Sequence, residues 1–221
     1  MDMFKRILLI LISVFLSSGC ATTPANSTSH DEASKFTKEG NQYLLQGEFE
    51  QAIAAYQKAI ELNPNDTEAY LNRGQAYAIG SGQYDLAIAD YNKVIKINPR
   101  DAQAYFKRGK VYKQKGEFDR AISDYSKAIE LNPNYAEAYT NRGVIYGRDK
   151  GQFDLAISDF NKAIEVNPQL LEAYLNKASA CENSGQTEEA INAYKGFLQH
   201  ATPQLNDYIT YAEKRIKELQ K

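Results

Sequence analysis

The sequence is poor in the residues that most often carry chemistry. Among its 221 residues there are no tryptophans, two cysteines and two histidines. No Glu-x-x-His or Cys-x-x-Cys pair is present, so we expect no metal ion and no cofactor. The formal net charge is -2 and no basic run occurs, which predicts that the chain does not bind nucleic acid. Cys181 and His200 would lack a third residue to orient them, and we predict no enzyme activity.

Proline is also scarce, but its placement is regular. Five of the six prolines follow one another at intervals of 35, 34, 35 and 35 residues. Because proline lacks an amide hydrogen and clashes with the preceding helical turn, a recurring proline indicates a recurring helix stop. The chain is therefore predicted to be an array of similar blocks. The periodic prolines are Pro64, Pro99, Pro133, Pro168 and Pro203.

Alignment on these prolines gives five blocks, each with two similar halves. The blocks are residues 33–66, 67–101, 102–135, 136–170 and 171–204. Apolar residues recur at three- and four-residue steps within each half, which predicts one buried helical face. A glycine separates the halves, where a chain leaving a helix often adopts a left-handed conformation. Each block is thus predicted to be two helices joined by a tight turn. The separating glycines are Gly47, Gly82, Gly116, Gly151 and Gly185.

This pattern resembles the tetratricopeptide repeat. In block two the resemblance rests on Tyr70, Gly74, Tyr77, Ala87, Tyr91, Val94 and Pro99, and in block three on Tyr105, Gly109, Tyr112, Ala121, Tyr125, Ala128 and Pro133. It implies an all-α fold, a right-handed α-solenoid of five helix pairs whose first helices line a concave wall. Residues 205–221 carry a further apolar stripe and are predicted to form an amphipathic capping helix, with Arg215 facing water. The stripe consists of Leu205, Tyr208, Ile209, Ala212, Ile216 and Leu219.

The blocks also differ in ways that predict local structure. Blocks two and four have one extra residue, near Ser81 and Asp149, which should lengthen the turn or the first helix. The last block has Ala178, Cys181 and Phe197 in place of the usual glycine, tyrosine and alanine of the repeat. Such drift suits a terminal repeat with no following repeat to pack against. Cys181 then occupies a core position, and we expect a buried free thiol.

Two residue classes recur once per block in the middle of the chain. Gly74, Gly109 and Gly143 are predicted to let two helix backbones approach closely, with tyrosines filling the gaps. Acidic residues recur at equivalent places, and that regular spacing predicts a solvated acidic face. These are Asp90, Asp124 and Asp159.

The N-terminus carries a separate motif. Lys5 and Arg6 precede an apolar run at 7–16 that is too short to span a bilayer, and Ser-Ser-Gly-Cys20 follows. This order is typical of a secretory signal peptide. Its end resembles the lipobox of bacterial lipoproteins, which implies a signal peptide over 1–19.

The same resemblance implies a cellular location for the protein. Cys20 would become the first residue after cleavage and carry the acyl chains, so a multiply acylated anchor would hold the chain firmly on a membrane. Residues 20–32 are small and polar and are predicted to be a flexible tether. Since Ala21 is not the aspartate of an inner-membrane retention signal, the resemblance favours the bacterial cell envelope, at the outer membrane facing the periplasm.

The concave wall is the predicted binding surface. We expect it to hold a peptide or helix of an envelope protein, with Leu71 and Phe106 as apolar anchors. Its asparagines could bind a peptide backbone through their amides, or they could instead stabilise neighbouring helices. The predicted groove residues are Asn41, Leu71, Asn72, Gln75, Gln103, Phe106, Lys107, Lys110, Thr140, Asn141, Val144, Leu175 and Asn176.

These patterns lead to two hypotheses of function. The first is a membrane-anchored scaffold or adaptor for protein–protein interactions. The second is a self-associating, homo-oligomeric structural lipoprotein of an envelope assembly, of the pilus, secretin or outer-membrane biogenesis type. A chaperone-tail clamp of the same family is not predicted, because Thr37 and Gln103 stand where its carboxylate-binding lysines should be.

Overall fold

The computed structural model describes residues 25–221, and within them every regular element is helical. This confirms the predicted all-α solenoid of helix pairs. The five pairs are α1 (Ala25–Gln46) with α2 (Phe49–Leu62), α3 (Thr67–Ala76) with α4 (Tyr84–Ile97), α5 (Ala102–Gln114) with α6 (Phe118–Leu131), α7 (Ala136–Val144) with α8 (Phe153–Val166), and α9 (Leu171–Asn183) with α10 (Thr187–His200). A short 3-10 turn, Pro203–Leu205, leads into α11 (Asn206–Leu219), which packs on α10.

Glycine makes the turn inside every pair, as predicted. The five separating glycines have φ between 62° and 76°, a left-handed region that residues with a Cβ rarely adopt. In three pairs a backbone bond then closes the helix end, for example from the Glu117 amide to the Tyr112 carbonyl at 2.9 Å. This is the bond pattern of a Schellman motif, and it reverses the chain within a few residues.

The extra residue of blocks two and four lengthens the first helix. There α3 and α7 continue as single π-helical turns, Tyr77–Ser81 and Ile145–Asp149. The closing bond spans one residue more than in the other blocks, from the Gln152 amide to the Tyr146 carbonyl at 2.7 Å. Widening one helical turn absorbs an inserted residue without disturbing the packed helix behind it.

Between pairs, the helix stop depends on asparagine as well as proline. The Asn63 side chain accepts the Asn65 amide at 3.2 Å across Pro64, and three later Asn-Pro turns repeat this bond. Asp66 then caps the next helix by accepting the Ala69 amide at 3.0 Å. Asp101 caps α5 in the same way, whereas α7 and α9 begin without a side-chain cap.

Close glycine contacts position the two helices of a pair, as predicted. A Cβ on Gly109 would lie 2.8 Å from the Tyr125 ring, and Gly74 and Gly143 face the rings of block two and block four in the same way. The last pair reverses this arrangement. There Gly196 is on the second helix, and a Cβ on it would lie 2.6 Å from the Tyr174 ring of the first.

The prediction of a solvated acidic face was wrong. Asp90, Asp124 and Asp159 are only 5 to 6% exposed. Each carboxylate accepts two bonds from an arginine on the partner helix, and for Asp124 these are 2.7 and 2.8 Å from Arg108. A buried carboxylate needs such a partner, because burial without one is very costly. The equivalent pairs are Arg73 with Asp90 and Arg142 with Asp159.

The two ends of the described chain also correct the sequence-based predictions. Helix α1 already begins at Ala25, so 25–32 are helical rather than a flexible tether. On α11 the Tyr208 side chain is exposed, and Arg215 bonds to Glu182 instead of facing water. The cap therefore docks through an ion pair as well as an apolar stripe. The predicted signal peptide 1–19 and Cys20 lie outside the described residues.

Candidate binding groove

The concave face is built from the first helices of the pairs, α1, α3, α5, α7 and α9. Neighbouring first helices touch, as α1 does α3 and α7 does α9. One hollow on this face spans α5, α7 and α9 and has a volume of about 480 Å³. Its walls include Lys113, Val144, Arg148, Glu172, Asn176 and Ser179.

Local sequence explains why the wall opens at this place. Gly143 and Gly147 leave α7 and its π-helical turn without side chains where the hollow passes them. Beneath them lie the rings of Phe153 and Phe160 from α8. Phe160 stands where the other inner blocks have a tyrosine, so this floor is wholly apolar. The hollow thus combines an apolar floor with polar and charged walls, which is typical of a ligand site.

Asparagines near the N-terminal end of the groove bind neighbouring helices. The Asn41 oxygen accepts the Tyr56 hydroxyl at 2.8 Å and the Asn72 amide at 2.9 Å, and the Asn41 amide donates to Glu68 at 2.9 Å. Asn141 similarly accepts from Lys113 at 3.1 Å. These contacts match the second of the two sequence-based interpretations, that the amides stabilise helix packing.

Asn176 differs from these asparagines. Among the described residues its side chain forms a single hydrogen bond, of 3.5 Å to Glu172, and it lines the hollow. This amide can therefore turn toward a peptide backbone at little cost.

Two predicted contact residues are not accessible. Leu71 is 8% exposed and packs in the core of block two, and Thr140 is 2% exposed with its hydroxyl bonded to the Ala136 carbonyl at 3.0 Å. Leu71 lies on the flank of α3 that packs with Ala104 and Val111 of α5 rather than on the groove. The helical spacing alone did not distinguish these two neighbouring flanks.

The other predicted residues remain at the surface to differing extents. Phe106 is half-buried, with its ring centroid 4.6 Å from that of Tyr135, so it can offer one edge to a ligand. Gln103 and Lys110 are exposed, while Gln75, Lys107 and Leu175 are half-buried. Val144 lines the hollow.

The prediction missed two cations, Lys113 and Arg148, which line the hollow. Lys113 continues the three-residue spacing of Lys107 and Lys110, a signal that was present in the sequence. Burial lowers the pKa of Lys107 and of Lys113, and the charge of Lys110 lowers both further. Glu172 and Asp149 partly offset this effect at Lys113 by raising its pKa.

Cys181 and His200 have different surroundings. Cys181 is fully buried, and burial raises the pKa of its thiol. The His200 ring lies beside Tyr174 with centroids 5.9 Å apart, and its Nδ1 is 3.3 Å from the Gln169 amide. Within residues 25–221 no three histidine, cysteine or acidic side chains gather as a metal site. In the same part of the chain no helix has both the length and the hydropathy needed to cross a bilayer.

Comparison with protein families identifies the repeat. A model described as TPR repeat matches residues 40–80, 81–116 and 109–150. Two models described as tetratricopeptide repeat match residues 136–170 and 160–192. Among curated proteins, small glutamine-rich tetratricopeptide repeat-containing protein alpha from Homo sapiens is 40% identical over 58 residues, which is 26% of this chain and 18% of that protein. The match spans less than a fifth of that relative.

Solved structures with this architecture are also similar. The MamA protein is 30% identical with a TM-score of 0.67, covering 77% of this chain and 92% of that one. PilF of Pseudomonas aeruginosa has a TM-score of 0.72 at 18% identity, over 87% and 90% of the two chains. YrrB, described as a TPR protein with an unusual peptide-binding site, has a TM-score of 0.63 at 23% identity, over 81% and 90%.

Proposed function

We propose, from the premise that this chain belongs to the tetratricopeptide repeat family, that it is a protein-binding adaptor held on a bacterial membrane by a lipid anchor. Tetratricopeptide repeats serve protein–protein interaction, and their binding surface is the concave face of stacked first helices. The partner is a peptide or helix of another envelope protein.

One observation carries this proposal, the hollow of about 480 Å³ that spans three successive first helices. A surface built on rigid helices offers a preformed site, which reduces the entropy lost on binding. The apolar floor would hold a side chain of the partner, while Asn176 and the polar walls would bind its backbone. The proposed adaptor role requires no catalytic residue in the hollow.

Site-specific crosslinking in cells tests this proposal. A photoreactive residue in place of Asn176, in the hollow, should crosslink to an envelope protein. The same residue in place of Glu130, on the exposed face of α6, is the matched control and should give no such product. Equal products at both positions, or none at position 176, would count against binding in the groove.

The lipid anchor is a separate proposal and needs its own test. It is supported by the lipobox-like motif that ends at Cys20. Replacing Cys20 with serine should abolish incorporation of labelled palmitate and release the protein from the outer-membrane fraction. A serine variant that is labelled and fractionated like the wild type would refute the anchor without affecting the groove.

Self-association is the second candidate, favoured by exposed apolar side chains on the first and last helices. Leu45 on α1 is 88% exposed, and Tyr208 and Tyr211 on α11 are 56% and 50% exposed. Head-to-tail contact between these ends would cover both surfaces. Sedimentation should then show oligomers that grow with protein concentration and that Tyr208→Ser weakens, whereas a concentration-independent monomer would exclude this role.

A further inference from the structure

Four cations on the concave face form no ion pair with any of the residues that the structure describes. Among residues 25–221 every arginine of the inner core and several surface lysines lie within ion-pair distance of a carboxylate. Lys107, Lys110, Lys113 and Arg148 form no such pair in this part of the chain. The arginines that join the two helices of an inner pair are therefore ion-paired, whereas these four cations of the groove are not.

Neutral groups hold three of these cations in place. The Lys107 ammonium donates to the Gln75 side-chain oxygen, and the Lys113 ammonium donates to the Asn141 oxygen at 3.1 Å. The Lys110 ammonium lies 5.9 Å from the Phe106 ring centroid. Such partners orient an ammonium group but do not cancel its charge. The charges are thus preorganised toward the groove.

Burial and mutual repulsion make this arrangement costly without a ligand. Lys107 and Lys113 are half-buried, and both feel the charge of Lys110. Glu172 and Asp149 act on Lys113, whereas burial and the charge of Lys110 both lower the pKa of Lys107. An anion placed among them would gain attraction in a partly desolvated site, where it is stronger than in water.

The charges and the apolar floor are parts of one site. Lys113 and Arg148 line the same hollow as Val144 and Phe153. The phosphates of a nucleic acid would bind the cations but would make no contact with the apolar floor. A peptide with an acidic residue next to an apolar one would use both.

We propose that the groove over blocks three to five binds an acidic peptide segment, with a carboxylate between Lys110 and Lys113 and a neighbouring apolar side chain in the hollow above Val144. This rests on the proposed function and adds the chemistry of the partner to it. The N-terminal part of the wall, where Asn41 and Asn72 bind each other, serves as packing rather than as the charged subsite.

Selection from a random peptide library on the full chain in mild detergent tests this proposal. Selected peptides should be enriched in aspartate and glutamate beside an apolar residue, and their affinity should fall as salt is raised. For one such peptide, Lys110→Gln with Lys113→Gln should weaken binding about tenfold. Lys127→Gln is the matched control on the outer face, where Lys127 pairs with Glu130, and should leave binding unchanged.

The outcomes separate this inference from the proposed function. Groove-binding peptides without acidic enrichment, or with affinity indifferent to the two glutamines, would overturn the acidic specificity and leave the adaptor in place. Selection of no groove-binding peptide would overturn both. Binding of a single-stranded oligonucleotide as tight as that of the acidic peptide would also overturn the inference, since it would show that the apolar floor contributes nothing.

Discussion

The three inner blocks and the two outer blocks stabilise their helix pairs by different means. Each inner block buries an arginine–aspartate pair between its two helices, as Arg108 and Asp124 do. The arginine also lies near two tyrosines of its own helix, for Arg108 at 5.5 and 5.8 Å. The outer blocks have alanine in place of the aspartate, at Ala55 and Ala193.

In the outer blocks, which lack this ion pair, polar contacts join the helix pair to adjacent elements. Block one uses the Asn41 amide to join Tyr56 to block two. Block five uses Glu182, which accepts the Tyr194 hydroxyl at 2.6 Å and binds Arg215 of the cap. An inner pair has a helix pair on both sides and can hold a buried charge pair, whereas block one has a neighbouring pair on one side only and block five is followed by the single helix α11. The following predictions test this contrast.

Removal of one partner of an inner ion pair should have the largest effect. Arg108→Ala leaves the Asp124 carboxylate buried without compensation and should lower the free energy of unfolding by about 3–5 kcal/mol. Urea denaturation followed by circular dichroism measures this loss. Arg120→Ala removes an exposed pair with Glu117 on the same block and should cost about 0.5 kcal/mol or less.

A double replacement sharpens the interpretation of that loss. Arg108→Leu with Asp124→Leu removes both charges and should recover most of the stability lost by Arg108→Ala. Equal instability of the single and double variants would mean that the pair itself, rather than the uncompensated carboxylate, sets the stability of an inner block.

The glycine contacts should cost less, and equally in inner and outer blocks. Gly109→Ala and Gly196→Ala each place a Cβ under 3 Å from a ring and should lower stability by about 1–3 kcal/mol. The equality is expected even though the glycines lie on opposite helices of their pairs. Ser179→Ala, at an exposed position of α9, should change stability by less than about 0.5 kcal/mol. A harmless Gly196→Ala would show that the last pair is loosely packed.

Two tyrosines should respond oppositely to loss of the hydroxyl group. Tyr56→Phe removes the bond to Asn41 and should cost about 1 kcal/mol. Among the described residues, the Tyr125 hydroxyl is the buried side-chain group without a hydrogen-bond partner, so Tyr125→Phe should be neutral or stabilise by up to about 1 kcal/mol. Thermal denaturation of both variants checks the difference, and equal losses would contradict it.

The cap should show the smallest effect, as a dependence on pH. Burial acts to raise the pKa of Glu182, but bonds from Arg215 and Tyr194 lower it more, so its net pKa lies below the ordinary 4.5. The contact therefore stabilises α11 above that pH and is lost as pH falls through the folded-state pKa. Hydrogen exchange of α11, corrected for intrinsic rates, should be steady from neutral pH down and increase only in acid. Glu182→Gln should abolish this dependence, while a dependence that persists would exclude Glu182 as its origin.

Much of the fold could be predicted because it is encoded locally. The periodic prolines and the left-handed glycines act within a few residues of themselves, so their effect does not depend on distant parts of the chain. The extra residues near Ser81 and Asp149 were also recognisable by counting, although the π-helical turn that absorbs each was not.

The candidate site was predicted less well. Of the predicted groove residues, Val144 and Asn176 line the hollow, whereas Leu71 and Thr140 are buried; Lys113 and Arg148 line the hollow but were not predicted. The spacing of apolar residues along a helix predicts which side of the helix a residue lies on, but it does not distinguish adjacent flanks of that side. Which flank is covered depends on the angle at which the next helix packs.

The sequence by itself determined five helix pairs, their turns and the close approach at Gly109, because each follows from backbone preferences and side-chain size at fixed spacing. Only the tertiary structure decided which charged side chains form ion pairs and which do not. It buried Asp124 in an ion pair with Arg108, whereas among the described residues Lys110 and Lys113 face the groove without forming one. The sequence specifies the charge of a residue, but the electrostatic energy of that charge depends on which groups the packed helices bring near it.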